Sequence, residues 1–152
     1  MTKPARGLIA AAVATLAIVG VANATRRVPP WGGRGDNGSF AFTCMDIDVF
    51  DGSVVSNCGG TQEFLVPLAF DNSGTKNVTF IIQAAGSADG CAAATIKRDG
   101  AGYTASSIAK PSQTGIDFQL TTGSVSVGTD NQFMADCQLT NGARLSTISF
   151  AQ

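Results

Sequence analysis

The sequence contains no histidine among its 152 residues. This absence excludes Ser-His-Asp and Cys-His nucleophile systems, and it removes the usual ligand of catalytic zinc. Acidic groups are limited as well, because Glu63 is the single glutamate beside ten aspartates. A hydrolase with paired carboxylates, one of them Glu63, stays open as an alternative. Most of the aspartates fall at turns, where Asp is common for backbone reasons, so we expect no enzymatic activity.

Aromatic side chains other than phenylalanine are scarce, with one tryptophan and one tyrosine. Modules that bind sugars usually expose Trp or Tyr, whose amphipathic rings can stack on a pyranose. Trp31 and Tyr103 are therefore the candidates for a ligand-binding site of this kind.

Long apolar runs are also lacking, except for residues 8–22 near the N-terminus. That run follows Lys3 and Arg6 and precedes the small residues Ala22-Asn23-Ala24, which is the pattern of a secretory signal peptide. We predict a signal peptide over residues 1–24 and a secreted or periplasmic protein. The run is shorter than the ~20 residues that span a bilayer, so no membrane span is expected after signal cleavage.

Charge is sparse in the predicted mature chain, where eight basic residues against eleven acidic ones leave a net charge of about −3. This mildly acidic balance lacks the basic patch of a nucleic-acid-binding protein, so nucleic acid is excluded as a partner. The sequence suggests no cofactor.

Helical periodicity is missing outside the signal peptide, whereas Gly, Ser, Thr, Val and Phe are abundant. Turn signals such as Asp51-Gly52, Asp99-Gly100 and Asn141-Gly142 recur along the chain. Short strands at this spacing predict an all-β fold, an antiparallel β-sandwich of the immunoglobulin-like or jelly-roll-like kind. We expect a flexible Pro/Gly-rich lead-in over residues 25–39 and a single β-sandwich domain over residues 40–152.

The stretch "FMADCQLTNGARLSTISF" at residues 133–150 predicts a hairpin with Asn141-Gly142 at its tip. In that register Phe133 faces Phe150 on one side of a single sheet. The alternation also predicts that one face is apolar and that Asp136 lies on the face exposed to water.

Four cysteines in an exported chain predict two disulfides, with three pairings open on numbers alone. A zinc knuckle is excluded because no two cysteines have C-x-x-C spacing. The apolar alternation slips by one residue at Cys44, which indicates a β-bulge that lets Cys44 reach Cys58 across a hairpin. Cys91 and Cys137 then pair by exclusion.

The segment "CMDIDVFDG" at residues 44–52 resembles a calcium loop, and Asp46, Asp48 and Asp51 are its candidate ligands. A calcium loop needs oxygen ligands at its first, third and fifth positions. Because Phe50 occupies the fifth position, a plain hairpin turn is the preferred interpretation, and no metal site is predicted.

The segments "DGCAAATIKRDGAG" and "FMADCQLTNGARLSTISF" resemble those of short exported, disulfide-bearing hypothetical proteins of bacteria. The resemblance implies an exported β-domain with disulfides and no particular activity. Together these features favour a non-enzymatic envelope, surface or matrix interaction module, whose partner is an unknown protein or a glycan at the cell surface. The alternatives are a subunit of an extracellular fibre, or a carbohydrate- or calcium-dependent binding domain that uses Trp31, Tyr103, Asp46 and Asp48.

Overall fold

The computed structural model describes residues 25–35, 44–48 and 50–151. Within these residues a short 3₁₀ helix covers Pro30–Gly32, and no helix has the length and apolar composition needed to cross a membrane. The predicted signal peptide lies outside the described residues. The strands of the described part are β1 Thr25–Val28, β2 Arg34–Gly35, β3 Met45–Ile47, β4 Val54–Ser56, β5 Gln62–Leu68, β6 Gly74–Lys76, β7 Thr79–Gln83, β8 Gly90–Lys97, β9 Tyr103–Ala105, β10 Asp117–Thr121, β11 Val125–Val127, β12 Asn131–Leu139 and β13 Arg144–Ala151.

The strands form two main antiparallel sheets. The first sheet has the order β10-β7-β13-β4-β3, with β1 pairing the C-terminal part of β13. The second sheet has the order β2-β5-β12-β8-β9, and β6 and β11 form a separate two-stranded ribbon. The predicted antiparallel β-sandwich is confirmed.

The core lies between the two sheets and is built by alternate residues of each strand. The five-stranded sheet contributes residues such as Phe64 and Phe133, and the other sheet contributes residues such as Phe80 and Phe150. The rings of Phe133 and Phe150 meet edge to face, with centroids 5.6 Å apart. Burying one such side chain stabilises a fold by roughly 1.5–3 kcal/mol, so the aromatic residues contribute strongly to holding the sheets together.

The predicted hairpin of residues 133–150 is wrong in its pairing, although its apolar face is buried as expected. β12 and β13 belong to different sheets, so Phe133 and Phe150 meet across the core and do not share a sheet face. In the connecting turn the N–H of Ala143 donates to the carbonyl of Thr140, and Gly142 alone of the two central residues has a positive φ, 87°. This is the geometry of a type II turn. The alternation of apolar residues determines which face of each strand is buried. A hairpin within one sheet and a chain that crosses to the other sheet have the same alternation, so the sequence pattern could not distinguish them.

Asp89 stabilises the region where the chain leaves β12 and crosses to the other sheet. Its fully buried carboxylate accepts hydrogen bonds from the backbone N–H groups of Ala85 and Gly86, each at 2.7 Å. It also accepts the backbone N–H of Thr140 at 2.5 Å and the Thr140 hydroxyl at 2.9 Å. Four donors compensate the cost of burying the charge, so Asp89 fastens the loop before β8 to the end of β12.

Residues 25–39 differ from the predicted flexible lead-in wherever the structure describes them. Thr25–Val28 forms β1 along the edge of β13, and Arg34–Gly35 forms β2 beside β5. Arg26 also makes an ion pair of 2.7 Å with Asp71, which follows β5. Such short, polar strands carry no apolar alternation, so pairing with a neighbouring edge defines them and their sequence does not. The domain boundary at residue 40 lies outside the described residues and stays a prediction.

The structure joins the cysteines in the expected pairs. Cys91 and Cys137 are direct partners on β8 and β12, and their disulfide lies inside the core. Cys44 bonds to Cys58, beside the pairing of β3 with β4. The strand that would precede Cys44 lies outside the described residues, so the bulge there stays a prediction.

Removing the core disulfide should cost more stability than removing the other one. The Cys91–Cys137 bond spans 46 residues and the Cys44–Cys58 bond spans 14. The chain-entropy model assigns these loops about 4 and about 3 kcal/mol, and alanines in the buried pair add a cavity. Urea unfolding of the two double-alanine variants should show this order in the free energy of unfolding. Equal losses, or the reverse order, would contradict it.

Candidate functional site

Tyr103 and Asp136 meet on the outer face of the five-stranded sheet. Tyr103 lies on the edge strand β9 opposite Ile96 of β8, and its hydroxyl donates to the carboxylate of Asp136 on β12. Asp136 was expected on the face exposed to water, yet it is 8% exposed. The alternation placed it on the correct face, and the contact with a residue two strands away could not be seen in the local pattern.

The register shows that the tyrosine side chain lies along the sheet. Ile96 pairs with Gln132, so Asp136 is two strands across from Tyr103 and four positions along. A side chain standing upright from the sheet could not reach across two strands. The bond to Asp136 therefore directs the Tyr103 side chain across β8 toward β12.

The outward residues of β8 between the levels of Tyr103 and Asp136 are small. Ala92 and Ala94 are the outward residues of this part of β8, and both are buried. Met134, the partner of Ala94 on β12, is buried as well. Tyr103 nevertheless keeps 52% of its surface exposed. Tyr103 is thus a half-exposed aromatic side chain held at its hydroxyl by Asp136, which we call the Tyr103 platform.

A groove adjoins the platform at the end of the sandwich. Two cavities of about 620 and 630 Å³ share the lining residues Arg98, Thr129 and Asn131, so they are neighbours. Together we call them the end groove; its lining residues are 67–71, 73, 97–99 and 128–134. Gln132 pairs with Ile96, the partner of Tyr103, and it also lines the groove. The groove therefore begins two strands away from Tyr103 on the same sheet.

The end groove offers many polar groups and little net charge. Lys97 and Arg98 make no hydrogen bond or ion pair through their charged groups within the described part of the chain. They are balanced by Asp99 and Asp130, while Asp71 is already paired with Arg26. Gln132 and Asn131 add amide groups, and Phe70 and Pro67 add apolar surface.

The acidic loop between β3 and β4 is occupied by an arginine. The guanidinium of Arg144 contacts Asp51, and it lies 3.5 Å from the carboxylate of Asp48. Asp46 accepts a hydrogen bond from the side-chain amide of Asn57 at 2.5 Å. In residues 25–35, 44–48 and 50–151 no group of three or more acidic or cysteine side chains is arranged to hold a metal ion. A cation already lies among these carboxylates, so the geometry disfavours calcium here.

Hydrogen bonds from the Ser53 hydroxyl and backbone N–H are the main reason that the pKa of Asp51 lies below its ordinary value of 3.8, and Arg144 lowers the pKa further. The loop is thus held by Ser53 and Arg144 without an added ion.

The other sequence candidates are placed differently. Trp31 lies in the 3₁₀ helix, but its side chain is outside the described part of the structure, so its role stays a prediction. Phe50 was not singled out, yet it is 96% exposed on the loop between β3 and β4. Asp136 was missed as a site residue. The alanines of "CAAATIK" were the available signal, because such small outward residues leave room for a side chain to lie flat.

Comparisons with known proteins bear on the fold. No family model matches the sequence, and no curated protein matches it. Solved structures do match. The C-terminal CBM6 of LamC, a marine laminarinase from Zobellia galactanivorans, gives a TM-score of 0.52 at 14% identity, over 85% of this chain and 100% of that one. The CBM35 of Abf62 from Cellvibrio japonicus gives 0.52 at 12% identity, over 85% and 94%.

A third structure, the Podospora anserina GH26-CBM35 β-(1,4)-mannanase, gives a TM-score of 0.55 at 10% identity. The match covers 86% of this chain and 28% of the mannanase. Identities this low show a shared fold and no more. The chain therefore has a β-sandwich fold like that of these carbohydrate-binding modules.

The hydrogen bonds and the ion pair of Asp51 predict a lowered pKa that can be measured. Carboxyl-detected NMR should show Asp51 ionising below pH 3.8, and Ser53→Ala should move the midpoint back toward 3.8 because the hydroxyl donor is lost. A lowered folded-state pKa contributes stability that is present above 3.8 and is lost as the pH falls through the folded value. A native midpoint at or above 3.8 would contradict the arrangement.

Proposed function

We propose that this chain is a non-catalytic glycan-binding module of an exported protein. The main observation in support of this proposal is the Tyr103 platform, a half-exposed aromatic ring that is hydrogen-bonded to Asp136 and lies beside a polar groove. This narrows the broader sequence hypothesis of an interaction module to one class of partner.

The chemistry of the site supports a sugar ligand. A pyranose has apolar C–H faces and a rim of hydroxyl groups. The exposed ring can take a C–H face, because the face of an aromatic ring carries partial negative charge. Gln132, Asn131 and Arg98 lie nearby and can bond hydroxyl groups, so apolar and polar recognition would occur together, as is usual for ligand sites.

The hydrogen bond between Tyr103 and Asp136 also favours ligand binding. An untethered tyrosine on an edge strand would lose rotamer freedom when a ligand stacked on it, and this loss opposes binding. The bond to Asp136 restricts the side chain before the ligand arrives. The matched structures are two carbohydrate-binding modules and a mannanase that contains one, and such a function fits the fold.

The proposal does not include calcium, because Arg144 lies among the candidate carboxylates Asp48 and Asp51. A secreted or periplasmic location is part of the proposal, and the two disulfides support it. No described contact favours the fibre alternative.

The role of Tyr103 in glycan binding can be tested by screening the protein on a glycan array and then measuring the affinity of the strongest ligand by calorimetry. Tyr103→Ala should weaken binding by tenfold or more, since truncating an aromatic anchor commonly costs over 1 kcal/mol. Tyr103→Phe should give a smaller loss, because the ring stays while its tether to Asp136 is removed.

Phe50→Ala is the matched control, because it removes an exposed aromatic ring from a loop of the other sheet. It should leave the affinity unchanged. Circular dichroism and thermal unfolding should show that all three variants are folded. Native protein that binds nothing on the array, or a Tyr103→Ala variant with full affinity, would refute the proposal.

A further inference from the structure

We propose that two copies of this chain pair through strand β10, edge to edge and antiparallel, so that the first sheet of one copy continues into the first sheet of the other. The interaction surface is the open side of β10, and its partner is the same strand of a second copy. The proposal is independent of glycan binding, because β10 lies in the sheet that does not carry the Tyr103 platform.

β10 is the longest edge strand of the two main sheets in the described part of the chain. It has five residues, and it pairs on one side with β7 in an unbroken register. The other edge strands are shorter: β1 has four residues and carries two arginines, β3 and β9 have three each, and β2 has two. Natural sheets protect their edges with very short strands, proline, basic side chains or bulges. β10 has none of these features.

The hydrogen bonds between β10 and β7 show which backbone groups of β10 are already used. Just beyond the strand, the N–H of Thr122 donates to the carbonyl of Val78 at 2.9 Å, in continuation of the same register. Hydrogen-bonded pairs alternate along an antiparallel ladder. Phe118 and Leu120 therefore direct their N–H and C=O groups to β7.

The intervening residues, Asp117, Gln119 and Thr121, direct their backbone groups to the open side of β10. The hydroxyl oxygens of Thr121 and Thr79 lie 2.9 Å apart, and this agrees, because side chains come closest in the pairs without backbone hydrogen bonds. Among the described residues no strand lies on the open side. These N–H and C=O groups thus form a row that another strand can pair with.

The apolar residues of β10 are incompletely covered. Phe118 and Leu120 are only partly buried, whereas their partners on β7, Ile82 and Phe80, are fully buried. Ile116, directly before the strand, keeps 49% of its surface exposed. A strand added at this edge would therefore remove apolar surface from water in addition to forming backbone hydrogen bonds.

A second copy of β10 fits this edge because the strand is self-complementary. Placing Gln119 of one copy opposite Gln119 of the other uses every outward N–H and C=O group of both strands. In this register Phe118 faces Leu120 of the other copy, and the pair repeats across the twofold axis. Asp117 faces the hydroxyl side chain of Thr121, which can donate to it, so the two carboxylates stay apart.

The arrangement is a closed dimer. The twofold pairing occupies β10 in both copies, so no further copy can add at this site. Because the interface is centred on one five-residue strand, the dimer should be weak and should depend on protein concentration.

The experiment is analytical ultracentrifugation with native mass spectrometry over a range of protein concentrations. The native protein should change from monomer to dimer as the concentration rises. Gln119→Lys and Gln119→Glu each place like charges opposite one another at the twofold axis, so either variant alone should dimerise several-fold more weakly. In an equimolar mixture of the two variants opposite charges meet, so the mixed dimer should exceed both homodimers and should weaken with added salt.

Gln132→Lys is the matched control. It adds the same charge to an exposed glutamine of β12, which is a central strand with a neighbour on each side. It should leave dimerisation unchanged. Gln119 and Gln132 are both exposed, so circular dichroism should show that every variant is folded.

A native protein that stays monomeric at every concentration would overturn the proposal. An equimolar mixture that forms no more dimer than either variant alone would also overturn it, because the two charges would then not meet across the axis. Assemblies that keep growing beyond a dimer would contradict it as well, since the twofold pairing leaves no copy of β10 open.

Discussion

The pairing of β12 with a strand on each side is the constraint on which the rest of the structure depends. β12 is paired with β5 over seven residues and with β8 over eight. Its inward residues, including Phe133 and Cys137, belong to the core, whereas its outward residues include Met134 and Asp136. The period of two that packs the sandwich therefore also lines up the candidate site.

The candidate site depends on a second constraint, the bond between Tyr103 and Asp136. A carboxylate that is nearly buried on a sheet face needs a donor, and the tyrosine hydroxyl provides one. The same bond fixes the direction of the tyrosine side chain. One interaction thus satisfies a buried polar group and prepares an exposed aromatic surface, so stability and the proposed recognition depend on the same two residues.

The two acidic regions of the molecule illustrate how neighbours change the meaning of a residue. In the loop between β3 and β4, Arg144 contacts Asp51 and lies 3.5 Å from Asp48, so a bound cation would have to displace its guanidinium. In the end groove the acidic and basic groups balance in number without all being paired. The sequence "CMDIDVFDG" drew attention to the first region, while the second is assembled from loops far apart in the chain.

The sequence by itself determined the fold class, the buried residues of the strands and the cysteine pairs, because alternation and turn residues are local properties of the chain. It also identified Tyr103, as the single tyrosine. It did not determine that β12 and β13 lie in different sheets, since both arrangements bury the same residues. The strand at Thr25–Val28, the burial of Asp136 and the end groove were decided by tertiary structure alone, because each depends on which distant strands become neighbours.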